Sequence, residues 1–352
     1  MTYIGLSLDV GRKSFGVDAI CDLIRRMAEL GFTALHLHLT ETHRVGVVLP
    51  GFEELAAPDA WTPADTARLV ATAQAAGIAL IPEIDLPSHA AALLVGREHL
   101  QLTDRRGRVH ADRLDIARPE ARRLALDLLE ASAYLFPGEW IHLGGDEFLA
   151  APWEDEDAQH PERFPSLVAH AREVVGPGGT ALDSYALFMN ELAARARELG
   201  RTPILWNDHV VPACENPLVP ITTDAVLDVW IRWRDWTPSV TDYLESGYRV
   251  LNSNGDLLYV VLTEDGLPAA DGVGRNGTLR ETFRPRRFMG LAAQRTWLDV
   301  PPAPPGTVDP VLGASLSLWC DSPGAATERE TLSLLETWME PFAEVMRRPA
   351  GS

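Results

Sequence analysis

The stretch Trp140-Ile-His-Leu-Gly-Gly-Asp146-Glu147-Phe148 holds a strand, its end and two ionisable side chains in one short run. Trp140–Leu143 reads as a buried strand bounded by turn residues. Gly144 and Gly145 let the backbone turn sharply and let a ligand approach closely. Adjacent side chains on a regular strand point to opposite faces, but past the strand end the turn relaxes that rule. Asp146 and Glu147 can then reach one pocket. Two neighbouring carboxylates resist joint ionisation, so one of them holds its proton to higher pH and is able to act as an acid. The plainer reading is an Asp-Glu surface pair, and what separates the two is where this strand sits in the fold.

Working outward, short apolar runs alternate with helical periods along the chain. The strand-like runs are Ile4–Asp9, Thr33–Leu39, Ala79–Ile84, Trp140–Leu143, Pro203–Trp206, Ala225–Trp230, Arg249–Asn252 and Leu312–Leu318. Between them, Val17, Ile20, Cys21, Ile24, Met27 and Ala28 form a stripe at helical spacing. Thr62-Pro63-Ala-Asp65 reads as an N-cap, a proline at the first helical position and a capping-box acid. Pro119–Tyr134 and Asp183–Leu199 are further helices. A last one over Glu328–Met346 sets Leu335, Trp338, Met339, Phe342 and Met346 on one face. The expectation is an α/β fold: a single (β/α)8 TIM barrel over residues 1–352, with insertions in the loops after strands 3, 4 and 7. The insertions are Leu86–Arg118, Leu149–Leu182 and Thr263–Arg284. The second, with Glu154-Asp-Glu-Asp157 and Gly176-Pro-Gly-Gly179, reads as a surface loop. All three belong to the C-terminal rim, where such barrels carry their active sites, and so do Asp146 and Glu147.

Composition narrows the classes. The chain has 352 residues, 31 basic and 50 acidic, for a net charge of −19. That field repels phosphate backbones, so nucleic acid is not an expected partner. No apolar run is long enough to span a bilayer, which argues against a membrane role. Cys21, Cys214 and Cys320 are scattered and odd in number, which fits neither a disulfide framework nor a zinc knuckle. The start, Met1-Thr-Tyr-Ile-Gly-Leu-Ser-Leu-Asp9, reads as a strand and not as a signal peptide, so with Met1 as the native start the expected location is cytoplasmic.

Two further clusters carry polar groups at strand ends. In His36-Leu-His-Leu-Thr-Glu41-Thr-His43, His36 and His38 share a strand face. That spacing fits a metal pair, with His89, His142 and Asp208 as further ligand candidates, or two histidines hydrogen-bonded inside the barrel. In Ile81-Pro-Glu-Ile-Asp-Leu-Pro-Ser-His89, alternating polar groups suit catalytic support or rim hydrogen bonding. Trp206, Trp230 and Trp319 end the fifth, sixth and eighth strands, Trp233 and Trp236 follow the sixth, and Tyr259 follows the seventh. Aromatics gathered at one rim fit a ligand with flat apolar faces, such as a sugar ring.

With these motifs the chain resembles glycoside hydrolase family 20, the β-N-acetylhexosaminidases, from Gly5 to about Glu336. It is most similar to the dispersin type, a bare catalytic barrel. The carriers are Gly5-Leu-Ser-Leu-Asp-Val-Gly-Arg12, His36-Leu-His-Leu-Thr-Glu41, Ile81–His89, His142-Leu-Gly-Gly-Asp-Glu147, Leu205-Trp-Asn-Asp208, Val250-Leu-Asn252 and Gly313–Trp319. The resemblance implies an exo-acting hydrolase of terminal β-linked N-acetylglucosamine or N-acetylgalactosamine. It also implies a retaining mechanism in which the sugar's own acetamido oxygen attacks C1. It assigns Glu147 as general acid and then base, and Asp146 as the group holding the acetamido N–H. Tyr259 donates to the acetamido oxygen, and Trp206, Trp230 and Trp319 wall its pocket. Arg12, Glu41 and Asp321 hold sugar hydroxyls, with His89 and His142 in support. No metal and no cofactor are implied, and the partner is a carbohydrate with a terminal β-linked N-acetylhexosamine. Glu41 stands where an Asp is usual and Asp321 where a Glu is usual, which bears on hydroxyl selectivity. Thr42–Val48 lacks the common Asp-Gln-Gly-Trp-Arg run. The residues leave two other readings open: a metal-dependent barrel amidohydrolase built on His36 and His38, and a sugar-binding barrel without catalysis.

Overall fold

In a computed structural model, which describes residues 2–150, 160–234, 237–265, 273–274 and 277–348, strand alternation decides the barrel interior. Eight parallel strands close on one another: β1 (Tyr3–Asp9), β2 (Ala34–His38), β3 (Ala79–Glu83), β4 (Trp140–His142), β5 (Thr202–Trp206), β6 (Val226–Val229), β7 (Arg249–Asn252) and β8 (Val311–Trp319). β1 pairs with β8 from Tyr3↔Gly313 to Leu8↔Leu318, which seals the cylinder. The expected TIM barrel is therefore present, with each strand boundary within about two residues of the sequence reading.

Fully buried parallel strands usually read as continuous apolar runs. Here β1 and β2 alternate: Ile4, Leu6, Leu8, Leu35 and Leu37 pack outward against the helices, in the large core. The inward set splits along the barrel axis. Tyr3, Ala34, Ile81, Ile204, Val226 and Leu251 form a small apolar plug. Ser7, His36, His38, Glu83, His142 and Asp228 lie toward the C-terminal ends, buried and polar. Apolar side chains thus hold the barrel shut at one end, and ionisable ones occupy the other.

The helices follow their caps. α1 (Val17–Leu30) buries Ile20, Cys21, Ile24 and Met27 and stops at Gly31 in the left-handed region. α2 (Pro63–Ala76) carries the expected capping box, Thr62 with Asp65, and Pro63 in its first turn. α3 (Pro119–Leu135) follows the first insertion. The second insertion departs from the expected surface loop, because it contains α4 (Pro165–Val175), with Leu167, Val168 and Ala171 buried. That short stripe stands between acidic and glycine-rich stretches that dominate the local composition. The Glu154–Asp157 acids, like Trp236, lie outside the described residues. α5 (Ala181–Glu198), α6 (Val240–Glu245), the short α7 (Leu279–Thr282) and α8 (Glu328–Met346) complete the series.

Two features were not expected. An excursion after β2 adds the paired strands Val45–Val47 and Ala56–Trp61. The seventh strand is broken: β7 pairs with β8 near Val311–Ala314, and after residues 253–258 a second piece, Tyr259–Val261, pairs with β8 at Ser317–Trp319. The break lifts Tyr259 to the rim. Among the described residues no helix is long and apolar enough to cross a membrane.

Candidate active site

A cavity of about 640 Å³ opens at the C-terminal rim. Of the residues singled out from sequence, Arg12, Glu41, His89, Asp146 and Glu147 line it, and so do Trp206, Trp230, Tyr259, Trp319 and Asp321. His142 does not. It is buried below, with its ring 4.6 Å from that of Trp206 and Nδ1 3.0 Å from Glu83 Oε1. In that position it supports the floor of the cavity.

The turn after β4 brings both acids inward. Gly144 and Gly145 have φ of 72° and 106°, and Glu147 itself sits at 53°. A side chain at Gly144 would meet Asp85 Oδ1 at 2.2 Å, and one at Gly145 would meet the Tyr185 hydroxyl at 2.5 Å. The glycines therefore permit a close approach as well as a turn. Tyr185 then locks the turn, its hydroxyl donating to Gly145 O at 2.8 Å, and Ser88 donates to the Asp146 carbonyl.

A chain of charges runs along the cavity. Arg12 donates to Asp9 at 2.9 Å and to Glu41 at 2.5 Å. Glu41 Oε1 also lies 2.7 Å from His89 Nδ1, and its Oε2 accepts the Thr42 N–H. Both oxygens are therefore engaged by the protein, so Glu41 braces Arg12 and His89. His89 Nε2 stands 3.6 Å from Asp146 and 3.5 Å from Glu147. Burial opposes a charge on His89, yet the surrounding Asp146, Glu147, Glu41 and Asp85 carboxyls raise its pKa well above the ordinary value. For Glu147, burial and the Asp146 charge raise the pKa above the usual carboxylate value, against the hydrogen bond from His89. Burial, then Asp146, does the same to Asp85. Asp321 has no ion pair among the described contacts and is raised mainly by burial.

The aromatic residues form a continuous wall. The Trp206 and Trp319 ring centres are 6.1 Å apart, and Tyr259 lies 5.6 Å from Trp319. Trp230 stacks on Tyr259 at 5.8 Å with an interplanar angle of 5°. Below them Glu83, fully buried, gathers the two histidine motifs. Its Oε1 accepts the Trp206 indole N–H at 2.8 Å. Its Oε2 lies 2.5 Å from His38 Nδ1 and 3.0 Å from His36 Nε2. Three sets of groups bring ligand atoms close enough to hold a metal ion: His36, Glu83 and His142; His38, Glu83 and Asp85; and Asp85, His89 and Asp146. His38 lines the cavity but His36 does not. The pair therefore does not present both imidazoles to the cavity.

Several contributors were missed or read differently from sequence. Glu83 stood in a flagged motif, but its tie to Trp206 and the histidines did not show there. Arg113, from the first insertion, lines the cavity and donates to the Glu147 carbonyl at 3.4 Å. Tyr185 lies in the second turn of α5 and no local pattern marks it.

Comparison with known proteins identifies the family and the fold. The family model described as glycosyl hydrolase family 20, catalytic domain, matches residues 1–322. The β-N-acetylhexosaminidase of Cellulomonas fimi is 30% identical over 226 residues, 59% of this chain and 43% of that protein. β-Hexosaminidase subunit A1 of Dictyostelium discoideum is 27% identical over 257 residues, 71% of this chain and 44% of that protein. The chain thus spans less than half the length of these relatives. In fold it is similar to the exo β-N-acetylglucosaminidase of Vibrio harveyi solved with N-acetylglucosamine. The TM-score is 0.71 at 20% identity, covering 99% of this chain and 55% of that one.

Proposed function

The chain belongs to glycosyl hydrolase family 20, and from that premise we propose that it is an exo-acting β-N-acetylhexosaminidase. Its substrate is a glycan or glycoside ending in β-linked N-acetylglucosamine or N-acetylgalactosamine, and residues 1–352 act as one catalytic barrel. The observation that carries this reading is the position of Asp146 and Glu147 in one cavity with the aromatic wall.

Both carboxyls lie within 3.6 Å of the same His89 nitrogen. A retaining pair that works through a covalent sugar ester must flank the ring from two sides, about 5–5.5 Å apart. Family 20 stands outside that scheme, and membership in it implies a nucleophile supplied by the substrate. The acetamido oxygen attacks C1 as the C1–O bond breaks, and Glu147 gives its proton to the leaving oxygen. Asp146 accepts the acetamido N–H and stabilises the positive charge that develops on the oxazolinium ring. Tyr259 donates its hydroxyl to the attacking oxygen's position, and Trp206, Trp319 and Trp230 enclose the methyl group. Water then attacks C1 from the side the leaving group vacated, its proton passes to Glu147, and the ring opens with net retention.

Glu147→Gln and Asp146→Asn test this on an aryl β-N-acetylglucosaminide with a poor leaving group. Each is expected to lower turnover about 10²- to 10⁴-fold with an unchanged circular dichroism spectrum. A thiazoline mimic of the oxazolinium ion is expected to inhibit. Near wild-type hydrolysis by both variants overturns the assignment, and binding of the sugar without any hydrolysis by the wild type favours a purely sugar-binding barrel.

A further inference from the structure

Asp208 lies two residues beyond Trp206, behind the cavity wall and not on it. Its two carboxylate oxygens serve two different parts of the site. Oδ2 accepts the Trp230 indole N–H at 2.6 Å. Oδ1 accepts the backbone N–H of Glu147 at 3.3 Å. The neighbouring Asn207 completes the tie, accepting the Trp230 backbone N–H at 3.0 Å and donating to Ile231 O at 2.8 Å. The end of β5 is thereby fastened to the segment after β6 through backbone and side chain together.

The chemistry of the two donors restricts what can stand at position 208. An indole N–H and a backbone N–H only donate, and neither can reverse its polarity. The side chain between them must accept twice, once on each oxygen. A carboxyl group does this, while an amide of the same size offers one acceptor and turns a donor toward the second N–H. The need is acute at Glu147, because its φ of 53° is in the left-handed region that a side chain other than glycine adopts only when its surroundings hold it there. Trp230 in turn stacks on Tyr259.

We propose that Asp208 is a positioning residue that couples the acetamido pocket to the acid: it holds the Trp230 wall and the left-handed Glu147 backbone at the same time. This rests on the reading of Glu147 as general acid and of Trp230 as pocket wall. Asp208 touches no reacting atom. It acts by keeping the Glu147 carboxyl aimed at the leaving oxygen when the N-acetyl group seats against Trp230.

The test is the leaving-group dependence of kcat/KM for Asp208→Asn and Trp230→Phe on aryl β-N-acetylglucosaminides, from 2,4-dinitrophenyl to 4-methoxyphenyl. A dinitrophenolate departs without acid assistance, and a methoxyphenolate needs it. Asp208→Asn is expected to lose less than about 5-fold on the activated substrate and about 10²-fold on the poor one, the lower end of the usual range for general acid catalysis. Trp230→Phe keeps a smaller aromatic face but removes the N–H, and is expected to steepen the dependence in the same direction by a smaller factor, beside a uniform loss from the reduced wall that falls equally on all leaving groups. The double variant is expected to lose less than the product of the two, because both act through one link. If both variants lower activity equally on all leaving groups, the coupling is refuted and Asp208 only supports the fold. Should Asp208→Asn fail to fold, Trp230→Phe alone decides: an unchanged slope overturns the proposal. A wild type inactive on every glycoside of the series overturns the parent reading instead.

Discussion

Glu83→Gln removes one charge from the floor of the cavity while keeping shape. In the wild type Glu83 Oε1 accepts the Trp206 indole N–H at 2.8 Å and Oε2 meets His38 Nδ1 at 2.5 Å. The indole only donates, so the glutamine must turn its carbonyl toward Trp206 and its NH₂ toward His36 and His38. Those imidazoles can exchange tautomers to accept, so the net remains connected but loses its charge. Hydrogen bonds to a charged group are worth about 1.5–3 kcal/mol, against about 0.5–1.5 for neutral pairs. Weakening the two shortest of its contacts, to Trp206 and His38, therefore predicts a loss of roughly 3 kcal/mol, near the lower limit for breaking a buried ionic pair. At about 2.1 cal/mol/K per residue, a chain of 352 residues has an unfolding entropy near 0.7 kcal/mol/K, so Tm is expected to fall by about 4 °C.

The same charge has a pH signature. Burial alone would raise the Glu83 pKa, but His142, His38 and His36 hold it well below the ordinary 4.5. A carboxyl with a depressed folded-state pKa stabilises the protein above its unfolded value, and that contribution is lost as pH falls toward the folded value. Calorimetry should therefore find the full Tm gap at pH 6–7 and a narrowing gap below about pH 4.5. Equal melting of the two proteins at pH 7, or a gap that does not change down to pH 3.5, would refute the reasoning.

Three further outcomes follow from the same geometry. Glu147 must carry its proton to act as an acid, and its pKa is raised, so kcat/KM on an aryl glycoside whose leaving group needs protonation is expected to fall as pH rises through that value; the residual activity of Glu147→Gln on the same substrate should lack this alkaline limb, and a limb that persists would assign it to another group. Gly144→Ala places a methyl group 2.2 Å from Asp85 Oδ1 and 2.8 Å from its Cα, whereas Gly77→Ala has the same kind of positive φ and nothing within 4 Å; the first is expected to lose roughly 3 kcal/mol and the second about 1, and equal urea midpoints would show that the contact with Asp85 relaxes freely. Treatment with a chelator, followed by metal analysis, is expected to leave hydrolysis unchanged; loss of activity restored by zinc would revive the reading built on His36 and His38.

The motif Gly144-Gly-Asp-Glu147 announced a turn and two acids, because positive φ and close approach are properties a glycine pair advertises locally. The Trp residues at strand ends were legible for a similar reason: a run of β residues that stops at an aromatic points to the rim once a barrel is inferred. Roles that depend on a distant partner were not legible. Glu83 read as one polar residue among several in an alternating run, and nothing near it signals that Trp206, 123 positions away, donates to it. His142 stood among the candidate ligands and supports, but its partner Glu83 lies on another strand and nothing local signals that contact.

What the sequence by itself determined was the inward set of each strand, since a period of two assigns every side chain to one face. Which inward groups meet was decided by the register between parallel strands and by barrel closure, which placed His38, Glu83 and His142 at one level and bent the chain after β4 and β5 so that Asp208 bridges Glu147 and Trp230. Register is the sum of many weak outer contacts between strands and helices, so no local stretch of residues encodes it.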